Sequence, residues 1–249
     1  MAVPLAFLDF DATTMPEVWS LGDLFNERIS SSSFSSLLDF LCSETTPALY
    51  SPVRSRPALP HAELRHFIAN FVLPHSVGRQ PLGPNDRVLL MLPASPENAV
   101  AMLAVCCYHS CAPVNATCTT TELKDDARRL GAKAILTTRE ASKRVDLASL
   151  QDELQCEVIY LTERSTGPAG LFDLSTSEET SPPMPLRPSR AHTLDDISLV
   201  LHTSGTSGKK KVVRYTLRTI LVGTWSVVHS WALTPSDINC RLFFVISLF

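Results

Sequence analysis

Glycine is scarce in this chain, with nine residues in 249 against eighteen prolines. That ratio predicts stiff connections and few flexible hinges, and it makes any place where glycines gather informative. An excess of one charge is also missing. Twenty-two Lys and Arg meet 25 Asp and Glu for a net charge of −3, so no global basic field recruits nucleic acid or anionic lipid. Neither nucleic acid nor a membrane is expected as a partner. No stretch reaches the roughly 18 consecutive apolar residues of a membrane span. The longest, residues 99–108, reads as a core helix. Residues 1–11 carry no Lys or Arg ahead of Asp9 and Asp11, a poor secretory signal, and the final Ser247-Leu248-Phe249 is no peroxisomal address. The expectation is a soluble, cytoplasmic protein.

The seven cysteines form no Cys-x-x-Cys pair, and no histidine follows at finger spacing, so no metal site is expected. Cys106, Cys107 and Cys111 fall on an apolar helical pattern, where thiols behave as small hydrophobes. Hydrophobic residues make up 45% and charged residues 19%, a balance that buries a core and excludes wholesale disorder. The length suits one large domain or two modest ones.

Residues 1–80 read as a helical and irregular segment. Serines ahead of Leu37, Leu38, Phe40 and Leu41 predict a short capped helix, and Leu64, Phe67, Ile68, Phe71 and Val72 stand at helical spacing. Residues 81–161 read as an α/β subdomain. Val88-Leu89-Leu90-Met91-Leu92 is a strand of the kind buried on both faces of a parallel sheet. Ser95 then caps a helix with Pro96 in its first turn and Val100, Leu103, Cys107 and Cys111 as its inner stripe. Thr119 and Glu122 form a capping box for a helix with Leu123, Ala127 and Leu130 on one face and Gly131 closing it. Further strands follow at Ala112-Pro113-Val114, Ala134-Ile135-Leu136 and Val158-Ile159-Tyr160-Leu161, with a helix marked by Leu147, Leu150 and Leu154. Strands alternating with helices predict an α/β fold, a mostly parallel sheet flanked by helices. Residues 162–193, rich in Pro, Ser and Thr, read as a long surface loop. Residues 194–249 then bring a strand, a loop and a helix, the start of a second subdomain.

The loop reads Leu201-His202-Thr203-Ser204-Gly205-Thr206-Ser207-Gly208-Lys209-Lys210-Lys211. Two glycines let backbone N–H groups approach a polyanion, hydroxyls donate to phosphate oxygens, and lysine adds positive charge. The candidate phosphate-binding residues are Thr203, Ser204, Gly205, Thr206, Ser207, Gly208 and Lys211. A Walker A loop is disfavoured, because only two residues separate Gly205 from Gly208 and Lys209 is followed by lysine. Other constellations carry no chemistry. His61, His66, His75, His109 and His229 share no helical face with carboxylates, and Asp125-Asp126-Arg128-Arg129 reads as a solvated helix face. Trp225 and Trp231 read as core or interface.

Thr203 to Lys211 resembles the signature loop of the adenylate-forming enzymes, the superfamily of acyl-CoA synthetases, luciferases and nonribosomal peptide synthetase adenylation domains. Asp86-Arg87-Val88-Leu89, Leu92-Pro93 with Ser95-Pro96-Glu97, Cys111-Ala112-Pro113-Val114-Asn115 and Leu130-Gly131-Ala132-Lys133-Ala134-Ile135 are similar to further family segments. The resemblance covers about residues 86–249. It implies that ATP is held by its phosphates while a carboxylic acid becomes an acyl-adenylate, then passes to coenzyme A or a carrier-protein thiol. His202 and residues 209–219 resemble fungal relatives, which implies secondary metabolism. The departures are Lys210 for the family's Pro, Val212 for Gly and Leu217 for His, whereas Lys211 keeps the family lysine. Loss of the proline predicts a looser loop.

Residues 239–249 resemble the strand that enters the family's acid-pocket motif, with Ser247 in place of Pro. The family's adenine-stacking aromatic, Mg²⁺-binding glutamate, ribose-binding aspartate and C-terminal lysine match no residue of this sequence. No catalytic residue is therefore assigned, Mg²⁺ is expected without a ligand from this chain, and little independent catalysis is expected. A non-catalytic nucleotide- or partner-binding remnant, and a truncated gene product, stay open as readings.

Overall fold

Short local signals build most of the elements. The computed structural model describes residues 26, 27, 29, 30, 34–51, 56–76, 80–176, 190–203, 211–234 and 237. A 3₁₀ turn, Leu37–Asp39, is capped by Ser36. An antiparallel pair follows, β1 (Pro47–Leu49) and β2 (Leu59–Pro60), and then the helix α1 (His61–Ala69).

Seven strands form the main sheet: β3 (Arg87–Met91), β4 (Ser110–Pro113), β5 (Ala134–Thr137), β6 (Glu157–Glu163), β7 (Phe172–Thr176), β8 (Ile197–Thr203) and β9 (Lys211–Thr216). Their spatial order is β7-β6-β5-β3-β4-β8-β9, with β3 to β6 and β8 parallel and the two edge strands antiparallel. The connecting helices are α2 (Pro96–Tyr108), α3 (Thr120–Leu130), α4 (Arg139–Ser142) and α5 (Leu147–Leu154), and α6 (Leu217–Ser230) follows β9.

The aliphatic runs of the central strands make sense once both faces are covered. Val88 and Leu90 of β3 turn to a layer holding α1, α2 and α6, while Leu89 and Met91 turn to a layer holding α3 and α5. Each fully buried Leu contributes about 1.5–3 kcal/mol by leaving water, which makes β3 the axis of the molecule. The capping signals operate as their chemistry requires. Ser95 Oγ accepts from Asn98 N, Thr119 and Glu122 cap α3 reciprocally, and Gly131 takes φ +58° to end it.

Several sequence expectations are corrected. The helix α2 ends at Tyr108, so Cys111 lies on β4 and not on the helical stripe, and Leu103 is only half-buried. His109 and Cys111 are thus in extended backbone. The thiols are buried nonetheless, and burial pushes Cys107 up to about 12. The 162–193 stretch contains β7, which pairs with β6 from Ile159↔Thr176 to Glu163↔Phe172. Leu64 and Ile68 of α1 share a core with α2, so α1 is part of the same layered body. A strand, β9, stands between the loop and α6. Trp225 is buried in the core, whereas Trp231 is 69% exposed.

His192, unremarked in the sequence, is fully buried beneath the amino ends of the strands. Its Nδ1 lies 3.0 Å from Cys106 O and 2.9 Å from Ser198 Oγ, its Nε2 lies 2.6 Å from Pro84 O, and its backbone N–H donates to Cys107 O. Nearby, Asp196 accepts from Thr193 N (2.7 Å) and Thr193 Oγ1, and pairs with Arg190 at 3.0 Å. Partial burial pushes its carboxyl up, but Arg190 and Thr193 outweigh that and bring it from 3.8 to about 2. A carboxylate depressed on folding adds stability that is complete above its unfolded value and lost as pH falls toward the folded one. Asp196→Asn therefore removes part of the acid sensitivity between about pH 4 and pH 2, read from denaturation curves in that window. Identical pH profiles for the two proteins count against the assignment.

Candidate functional site

Of the candidate residues, Thr203 ends β8 and Lys211 begins β9. Ser204, Gly205, Thr206, Ser207 and Gly208 lie outside the described residues. The structure brings the two ends of the loop together. β8 and β9 pair in the register Leu201↔Val213, His202↔Val212 and Thr203↔Lys211, so the seven residues between them span Cα atoms only about 5 Å apart. The loop is the tip of a hairpin. In the sequence β9 is concealed behind the lysine run, although Val212, Val213 and Tyr215 form a β-branched and aromatic run of strand type. Thr216 then starts α6, its side chain accepting from Thr219 N.

The position of this tip matters. The five parallel strands all end at one edge of the sheet, and Thr203 ends there too. From β3 the chain crosses to β4 through α2 on one face, and from β4 it returns across β3 to β5 through α3 on the other. The strand order therefore reverses between β3 and β5, and the carboxyl edge of such a sheet is the usual ligand position in open α/β folds. β8 pairs with β4 at Cys111↔Leu199, so the hairpin rises from the same carboxyl edge, with β4 and β3 between it and that reversal. The Lys211 side chain is exposed there.

One charged residue next to the hairpin departs from the sequence expectation. Asp126 is not on a solvated face: it is 7% exposed, and its Oδ1 lies 3.5 Å from His202 Nδ1, itself 12% exposed. Among the described residues, no group of three or more His, Cys, Asp or Glu is placed to hold a metal ion. Nor is any helix among them long and apolar enough to cross a membrane.

The family profile described as AMP-binding enzyme matches residues 79–248. The chain belongs to the AMP-binding enzyme family. Solved structures share the fold. Apo MatB from Rhodopseudomonas palustris is 20% identical with a TM-score of 0.53, over 74% of this chain and 34% of that one. The ATP-bound RpMatB-BxBclM chimera B3 is 19% identical with a TM-score of 0.56, over 88% of this chain and 39% of that one. A Brucella canis acyl-CoA synthetase is 18% identical with a TM-score of 0.54, over 73% and 32%. The chain thus spans about a third of the length of these structures. A comparison with curated proteins finds no match.

Within the matched range, several polar residues have architectural duties. Asp86 Oδ2 accepts from Gly83 N at 2.7 Å, and Asn115 Oδ1 accepts from Thr117 N and Oγ1 to shape the turn after β4. Glu97, 1% exposed, binds Arg56 and Gly170 N. The duties of Asp86 and Asn115 are local, whereas sequence spacing does not reveal that of Glu97, because its partners lie 41 and 73 residues away.

Proposed function

We propose that this chain supplies the nucleotide-phosphate grip of an adenylate-forming enzyme. In the family's reaction a carboxylate oxygen attacks the α-phosphorus of ATP and pyrophosphate leaves. A thiol of coenzyme A or a carrier protein then attacks the acyl carbon of the acyl-adenylate, taking the acyl group as a thioester and releasing AMP. The observation that carries the reading is the hairpin closed by Thr203 and Lys211 at the carboxyl edge of the parallel strands. A sequence rich in glycine and hydroxyls between those two residues suits a polyphosphate, and exposed Lys211 adds charge. The ATP-bound state of MatB from R. palustris supports the same reading for a relative of this fold. An ATP-consuming reaction fits a cytoplasmic setting, and the fungal character of the loop fits secondary metabolism.

Adenylation depends on positioning and charge stabilisation from several sides of the substrate. Thr203, Ser204, Gly205, Thr206, Ser207, Gly208 and Lys211 address one side, the phosphates. Mg²⁺ enters with the nucleotide, and no residue described here is assigned to hold it. The 249-residue polypeptide is therefore expected to bind ATP without turning it over. Calorimetric titration with ATP and pyrophosphate exchange with a panel of acids test both halves. Saturable binding without exchange supports the proposal, no binding overturns the phosphate reading, and acid-dependent exchange overturns the absence of turnover. Lys211→Ala is expected to weaken ATP about tenfold, the loss of one charge-assisted hydrogen bond, with little change in unfolding midpoint. A second reading, a nucleotide-binding remnant with no catalytic role in any longer assembly, is favoured by the departures at Lys210, Val212 and Leu217.

A further inference from the structure

Asp126 is the odd member of the buried stripe of α3. The stripe sets Leu123, Ala127 and Leu130 against the sheet, and Asp126 is buried with them. A carboxylate in such a place costs free energy unless a polar group meets it. His202 meets it, with Nδ1 3.5 Å from Oδ1. Strand periodicity explains the meeting: Val200 packs in the α3 layer, and His202, two residues on, shares its face of β8. His202 also pairs with Val212, one step before the Thr203↔Lys211 pair that closes the hairpin. This contact anchors the root of the hairpin to a helix packed on the parallel sheet.

We propose that His202 and Asp126 are positioning residues for phosphate binding, an inference that rests on the phosphate reading above. The imidazole touches no nucleotide. It holds the end of β8 at a fixed height above α3, so Thr203 and Lys211 are set before a polyphosphate arrives. Preorganisation of this kind raises affinity, because the ordering is complete before binding. A pair with only an architectural role would change folding stability and leave ATP affinity alone.

The test is calorimetric titration of the 249-residue chain with ATP, alongside unfolding midpoints without nucleotide. Asp126→Leu and His202→Phe remove the polar contact at similar volume, Asp126→Asn keeps the Oδ1 acceptor, and His202→Gln keeps a side-chain donor. Each apolar variant is expected to weaken ATP about tenfold, and the double variant no more than either single. The two conservative variants are expected to bind within about twofold of wild type. Should Asp126→Leu not fold, His202→Phe against His202→Gln carries the comparison. Apolar variants that lower the midpoint but bind ATP like wild type overturn the positioning role, as does additivity in the double variant. Wild type that binds no ATP overturns the phosphate reading itself, a different outcome from variants that match a binding wild type.

Discussion

Glu97→Ala is expected to destabilise the fold by about 3–5 kcal/mol, the cost of stripping one partner from a buried ion pair. Glu97 sits in the first turn of α2 and is 1% exposed. Its Oε1 accepts from Arg56 Nη1 at 2.8 Å and from Gly170 N at 2.8 Å. Arg56 also donates through Nη2 to Arg164 O and Pro168 O, and lies 3.5 Å from Glu163 Oε2. One carboxylate therefore fastens the segment before β2 and the turn between β6 and β7 to the start of α2. Removing it leaves a guanidinium that is 18% exposed facing an apolar hole, and an amide without its acceptor. Water reaches part of Arg56, which favours the lower end of the range. Glu97→Gln keeps an acceptor and loses the charge, so it is expected to cost about half as much. Chemical denaturation measures both. A loss below about 1 kcal/mol for Glu97→Ala would mean that solvent replaces the carboxylate and that the cluster ties nothing together.

What could be read from the sequence was what local chemistry decides. Ser95 with Pro96, Thr119 with Glu122, Gly131, and the aliphatic run of β3 each specify a cap, a stop or a doubly buried strand within a few residues. These signals sufficed for a mostly parallel sheet flanked by helices. Asp126 shows the limit. Beside Asp125, Arg128 and Arg129 it has the composition of a solvated face, and only the tertiary approach of His202 shows that it points inward. β7 was hidden for a related reason: Phe172 to Thr176 becomes a strand because β6 offers an unpaired edge, not through its own alternation. At the site, the glycines, hydroxyls and lysine of the loop carry the phosphate expectation, whereas the closing pair Thr203↔Lys211 depends on a strand concealed behind a lysine run.

Gly170→Ala is expected to cost about 2–5 kcal/mol, combining backbone strain with overpacking. Gly170 adopts φ +99°, where side chains are strained whatever the space. A Cβ there would lie 2.9 Å from Leu49 Cδ2, 3.0 Å from Val100 Cγ2 and 3.3 Å from Leu59 Cδ2. Leu49 has a flexible end and can yield. Val100 sits in the buried stripe of α2 and has little room, so the turn itself must move. Gly167, three residues earlier, separates the two contributions. Its φ is +88°, but a Cβ would meet nothing within 4 Å. Gly167→Ala therefore reports strain alone, about 1–2 kcal/mol, and the difference between the two variants reports packing. Equal losses at both positions would refute the packing argument. Alanine leaves the Gly170 N–H in place, so any shift of the turn is felt at Glu97, whose Oε1 that N–H supplies. The combination of Gly170→Ala with Glu97→Ala is accordingly expected to cost less than the sum of the two, because each change disturbs the same hydrogen bond.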